Sequence, residues 1–202
     1  CGGICTKLCV AALSEPIIQW TRAFEVAPGV YSAVAMIENS NFGAEARNVS
    51  YTLRLYDVNN LLAFERVGTT YIPPETTFPI FESGMQTGDR QISRALFTFN
   101  EDPDWVRGVA VVPTLSVTGQ RLSNTDRSPR IEAVVRNMNL FPAEDIRVVA
   151  IVSDKEGNAI GASQTVIDFI AREASKSIVF TWPVPFIGTP AQIDIIPWHI
   201  PR

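Results

Sequence analysis

Cys1, Cys5 and Cys9 are the only cysteines of the chain, spaced C-x3-C-x3-C. Thiols at that spacing support three chemistries. A structural zinc site would need a fourth ligand, and zinc sites usually carry cysteines as two C-x2-4-C pairs. The sole histidine, His199, stands at the other end of the chain. Disulfide pairing in an oxidising exterior is the better reading, with an odd thiol left over. Lipidation of Cys1 ahead of Gly2-Gly3 is the third. A second group is acidic. "NEDPDW", Asn100 to Trp105, crowds Glu101, Asp102 and Asp104 into one loop, and calcium takes 6–8 oxygen ligands from such loops. The plain alternative is a solvated acidic connection over a packed Trp105. "DKEGN", Asp154 to Asn158, has a cation-loop look but lacks the alternating ligands and closing Glu of an EF-hand. It fits a hairpin turn.

Nucleophilic catalysis has little to work with. A Ser-His-Asp or Cys-His arrangement needs a histidine base, and His199 lies beside Trp198 close to the chain end. No phosphate-binding glycine loop, dinucleotide fingerprint or metalloprotease motif occurs. The expectation is a chain that is not an enzyme and carries no cofactor. Charge points the same way for nucleic acid. Seventeen Lys and Arg are set against 21 Asp and Glu, a net charge of −4, and the basic residues are scattered, which does not suit a phosphate backbone. No apolar run reaches the roughly 20 residues that a helix needs to span a bilayer. A membrane tether is therefore expected elsewhere in a longer protein. Asn48-Val49-Ser50 matches a glycosylation acceptor, but Asn also suits the start of a strand.

The elements that must position these residues are strands. Val49, Tyr51, Leu53 and Leu55 alternate with Ser50, Thr52 and Arg54, the period of two of a half-buried strand. Similar runs occupy 17–26, 31–38, 61–70, 77–82, 95–100 and 108–117, with turn signals such as Pro28-Gly29, Asn59-Asn60 and Pro73-Pro74 between them. The most helix-like stretch, 165–176, is interrupted by β-branched residues and reads as strand, turn, strand. With 46% hydrophobic residues the chain can bury a core. Short strands at regular spacing predict antiparallel sandwiches.

The chain also repeats itself. "ENSNFGAEARNVSYTLRLYD" at 38–57 returns as "RNMNLFPAEDIRVVAIVSD" at 136–154. Asn39 and Asn41 recur 98 positions later as Asn137 and Asn139, Asp57 recurs after 97 as Asp154, and Phe81 after 99 as Phe180. "VAVVPTLSV" at 109–117 is matched with "IDIIPWHI" at 193–200 as a closing strand. A period of that length matches one sandwich. The expected organisation is a cysteine-bearing segment at 1–15, a first sandwich at 16–122, the polar linker 123–129 and a second sandwich at 130–202. The paired asparagines suit strand ends, where their side chains satisfy local backbone groups.

"YTLRLYD", after an Asn-rich hairpin and before "NLLAFERVGTTYIPPETTFPIFE", resembles the FxLYD type of immunoglobulin-like domain of bacterial envelope proteins. The second copy departs from it, with Ser153 where the first has Tyr56. "IIQWTRAFEVAPGVYSAVAMIENSN" and "IVFTWPVPF" resemble an uncharacterised bacterial surface-protein family, and "CGGICTKLC" resembles the tail of that family's cysteine motif. The resemblance implies two tandem immunoglobulin-like β-sandwiches of a bacterial surface protein and is silent on activity; the expected role is a non-catalytic, extracellular, membrane-tethered spacer. The alternative is an adhesion module reading protein or glycan through loops at one end, with Trp20, Trp105, Trp182 and Trp198 as candidate stacking platforms.

Overall fold

The structure, a computed structural model, describes residues 13–108 and 114–199. Cys1, Cys5 and Cys9 lie outside the described residues, as does the apolar stretch 109–113. Thirteen strands and no helix make up the described chain. They are β1 (Ile17–Ala27), β2 (Val30–Asn39), β3 (Ala44–Asp57), β4 (Leu62–Ile72), β5 (Thr76–Gln86), β6 (Ile92–Phe99), β7 (Val106–Arg107), β8 (Leu115–Ser123), β9 (Arg130–Asn137), β10 (Ala143–Ser153), β11 (Ala159–Ile170), β12 (Ser175–Thr181) and β13 (Gln192–His199). The expected all-β architecture is what forms. The ambiguous stretch 165–176 is the end of β11, a turn and the start of β12.

Four sheets account for the strands. Their orders are β1-β2-β5, β4-β3-β6 with β7 also on β3, β8-β9-β12, and β11-β10-β13. The last two repeat the first two strand for strand once β7 is set aside. The partners of β3, β9 and β10 all run antiparallel to them. In the second half, Ile131 and Val135 from β9, Ile178 and Phe180 from β12, and Ile146, Val148, Ala150 and Val152 from β10 meet in one core. Two sheets thus bury their inner faces against each other, a sandwich. In the first half Tyr51, Leu53 and Leu55 are buried as their alternation requires, and Tyr51 stacks on Phe97 at 4.9 Å between centroids.

Some sequence expectations need correction. The chain divides into two compact units, but not at one cut: one comprises Cys1–Ala23, Val34–Ile80 and Arg90–Val111, the other Phe24–Ala33, Phe81–Asp89 and Val112–Arg202. The segment 123–129 is no linker. Leu115 to Ser123 pairs along β9, with Ser123 opposite Arg130, so the polar residues between them form a hairpin turn inside one sheet. The closing-strand match also fails. β13 lies on β10 as β6 lies on β3, with Ala150 opposite Ile195 and Leu53 opposite Phe97. Leu115–Val117 instead begins β8, the counterpart of β1. Phe180 is in the core opposite Ile131, whereas Phe81, matched to it in sequence, is half-buried.

Two strands are buried on both faces. In β2 every residue from Tyr31 to Ile37 is buried, and in β10 so are Val148 to Ser153. Both are central strands of their sheets. Continuous apolar runs, "VAMI" and "VVAIV", carry that double burial.

Candidate functional site

The repeated asparagines are heavily bonded to the backbone around them. Asn39, 1% exposed, donates from Nδ2 to the carbonyls of Ala44 at 2.9 Å and Pro73 at 2.7 Å. Its Oδ1 accepts from the Asn41 backbone N–H at 3.1 Å and from Asn41 Nδ2 at 2.9 Å. Asn41 in turn grips the backbone of Ser14 on both sides. The Ser14 N–H donates to Asn41 Oδ1 at 2.8 Å and Asn41 Nδ2 donates to the Ser14 carbonyl at 2.8 Å. The second copy reproduces the arrangement. Asn137, fully buried, donates to the carbonyls of Phe141, Ile170 and Ala171 at 2.8, 3.3 and 3.2 Å. Its Oδ1 accepts from Asn139 N–H at 3.0 Å and Nδ2 at 2.7 Å. Asn139 exchanges bonds with Thr114, 3.3 Å to its N–H and 3.1 Å to its carbonyl. These side chains stand in for backbone partners, as buried polar groups require. The partners Ser14 and Thr114 escape sequence reading because they lie far away in the chain; their only signal is a hydroxyl residue just ahead of each first strand.

The repeated aspartates do a second backbone task. Asp57 Oδ1 accepts from the N–H groups of Asn59 and Leu61, each at 2.9 Å. Asp154 Oδ1 accepts from Glu156 at 3.0 Å and Asn158 at 2.8 Å. Each closes a hairpin whose left-handed position is filled by Asn60 (φ 59°) or Gly157 (φ 81°), the Asx-type turn that these residues favour. The carboxylate of "DKEGN" is thus engaged with its own turn. Asn48, the glycosylation-pattern residue, is exposed with φ 54°, and Asp145 repeats that conformation at φ 50°. Asn and Asp tolerate it better than other side chains with a Cβ.

One ionic cluster was not visible in the sequence. Glu45, 1% exposed, accepts from the Tyr71 hydroxyl at 2.9 Å, and Arg47 donates to its Oε1 at 2.9 and 3.2 Å. Burial, reinforced by the Glu45 carboxylate, pushes the Tyr71 hydroxyl far above its usual range, so it stays a donor. Tyr71 stands 26 positions from Glu45, a separation that no local pattern reveals. Glu45 also lies opposite Val106 of β7.

The expected acidic site is only partly brought together. Glu101 and Asp102 line an open cleft of about 350 Å³ together with Glu15, Pro16, Ile18, Thr98, Phe99, Asn100 and Pro103, and Asp104 is not part of it. Among the described residues no three His, Cys, Asp or Glu side chains are grouped to hold a metal. Trp105 is buried. Trp182 and Trp198 are buried too, and Trp182 Nε1 donates to the Ala162 carbonyl at 3.1 Å. Three of the four tryptophans are therefore packed inside rather than displayed, and Trp20 is half-buried. Burial lowers the pKa of His199, opposed by the charges of Asp145 and Glu144, and its Nδ1 has no hydrogen-bond partner among the described residues. No helix of the described residues is long and apolar enough to cross a membrane.

No family model matches the chain, and no curated protein matches it. Among solved structures it is similar to a "putative beta-galactosidase from Bacteroides fragilis", at 12% identity over 86% of this chain and with a TM-score of 0.24. The match spans 33% of that protein's chain.

Proposed function

We propose that this chain is a non-catalytic spacer of a membrane-tethered bacterial surface protein, built from tandem immunoglobulin-like sandwiches of FxLYD type. The observation that carries the reading is what the repeated polar residues do. Asn39, Asn41 and Asp57, with their counterparts Asn137, Asn139 and Asp154, all bond backbone groups of their own copy. Repetition of residues that organise the fold suits a part whose work is shape and distance. In this reading the cysteines Cys1, Cys5 and Cys9 form at least one disulfide outside the cell, and the tether lies in another part of the protein. Thiol counting on unreduced material checks the cysteine part: three free thiols would contradict it.

A second reading has one observation in its favour. The turn after β2 exposes Phe42, and the turn after β9 exposes Met138, Leu140 and Phe141. Exposed apolar tips suit adhesion to a protein or glycan at the cell surface. Arrays of glycans and surface proteins probed with the purified chain separate the two. A spacer gives no saturable binding. Saturable binding that is abolished by Phe42→Ser or Leu140→Ser, in variants that still unfold cooperatively, would replace the spacer with an adhesin.

A further inference from the structure

Each copy begins with a weak strand. β1 is an edge strand of β1-β2-β5, with no fully buried residue and with Ile17 52% and Ile18 37% exposed. β8 is an edge strand of β8-β9-β12, also with no fully buried residue, and its register breaks between Thr118 and Arg121. An edge strand is bonded along one side only. Tension reaching the fold through the chain would meet this strand first and peel it from its neighbour one bond at a time.

The residue ahead of each weak strand is the one that the asparagines hold. Ser14 stands three positions before β1 and Thr114 directly before β8, and both are gripped by the two-sided bond pairs of Asn41 and Asn139. Neither clamp ends at the second asparagine. Asn41 is tied through Asn39 to Ala44 at the start of β3 and to Pro73 in the turn after β4. Asn139 is tied through Asn137 to Phe141, to Ile170 at the end of β11 and to Ala171. The incoming chain is thus fastened to the other sheet before it joins its own.

We infer that the paired asparagines are tension clamps, which divert a pull on the incoming chain past the edge strand and into strands of the opposite sheet. The inference rests on the spacer reading and gives it a mechanical device: a surface tether is pulled along its chain whenever its distal end is held. The clamps act in series with each copy, so each protects its own copy and no other.

Single-molecule pulling tests this with attachment points that differ by a few residues. The full chain, with Cys1, Cys5 and Cys9 changed to Ser, is held at its C-terminus by a peptide tag. It is pulled either through Leu13→Cys, ahead of the Ser14 clamp, or through Ile17→Cys, behind it. In the Leu13 attachment, Asn41→Ala should speed rupture of the first copy at fixed force by roughly tenfold or more, the factor that two hydrogen bonds are worth. The event of the second copy should not move. In the Ile17 attachment the pull bypasses Ser14, and Asn41→Ala should change rupture by less than about threefold, within the error of one weak hydrogen bond. Equal acceleration in both attachments would show that Asn41 only stabilises the fold, and no acceleration in either would show that it holds nothing; both overturn the clamp. Chains that extend without any discrete rupture event would instead defeat the spacer reading itself.

Discussion

Asn137→Asp exchanges one side-chain donor for an acceptor at a fully buried position. In the wild type Nδ2 serves three carbonyls, those of Phe141, Ile170 and Ala171. A carboxylate there would face three carbonyl oxygens with nothing to donate. Leaving buried partners unsatisfied costs about 1–3 kcal/mol per group. Two such losses plus desolvation of a charge put the deficit at roughly 4 kcal/mol or more at neutral pH. A domain has only about 5–15 kcal/mol in total. The deficit should depend on pH. A protonated carboxyl can donate one bond, so the folded state favours the acid form and raises the pKa of the introduced side chain above its unfolded value of about 3.9. The charge-dependent loss is then absent below about pH 3.9, grows by up to about 1.4 kcal/mol per pH unit as pH rises, and levels off above the folded pKa. Asn137→Ala should lose about 2–4 kcal/mol with no such slope. Urea unfolding of both variants across the range from about pH 4 to about pH 8, each referred to wild type at the same pH, measures the difference. Parallel curves for the two variants, or a loss below about 0.5 kcal/mol for either, would show that Asn137 does not hold these carbonyls.

Leu53 is fully buried while Arg54, which pairs with Glu65 at 2.7 Å, is partly exposed; Leu53→Asp should unfold the first copy, and Arg54→Asp should cost under about 1 kcal/mol in denaturant melts. A Cβ at Gly161 would lie 2.6 Å from Phe186 Cε1, so Gly161→Ala should destabilise by about 1–3 kcal/mol, and adding Phe186→Ala should make the Gly161 change nearly neutral. His199 should titrate below its usual 6.5 by NMR. Because its folded pKa is lowered, the fold gains stability from the neutral ring as pH rises from that value through 6.5, and His199→Gln should flatten that part of the pH profile.

The strands were legible because alternation is local. The run from Val49 to Leu55 shows its inner face in seven residues, and burial follows it. Thr52 is the exception. It sits on the outer face yet is buried, because Asn100 lies over it and accepts its hydroxyl at 2.6 Å. Connections were less legible. Polar, Pro-terminated residues after Ser123 look the same whether they join two domains or two strands of one hairpin, since both are solvated. The closing strand was misplaced because "VAVVP" and "IDIIP" match as apolar strings, and strings do not say which strand they bond. The candidate site suffered most. Asn39 and Asn41 were rightly read as serving backbone groups, but Ser14 and Pro73 are distant in sequence, and Glu45 and Tyr71 met only on folding.

The left-handed residues Asn48 and Asp145 have an effect on how the two copies diverge. Ahead of Asn48, Ala44 and Ala46 are the buried alanines of β3; after it the inward residues are Val49, Tyr51, Leu53 and Leu55. Even numbers give way to odd. In β10 the opposite exchange occurs, from Ala143 to Ile146, Val148 and Ala150. The strand changes phase at one residue, and everything downstream keeps its face. Seven positions separate Asn41 from Asn48, but six separate Asn139 from Asp145. One copy has therefore gained or lost a residue in the turn, and because both copies make the same three-residue step afterwards, from Ala46 to Val49 and from Ala143 to Ile146, the indel was absorbed ahead of the strand and left the core face unchanged. Length variation among relatives of this chain should collect just ahead of this residue, where the fold already tolerates a change of count.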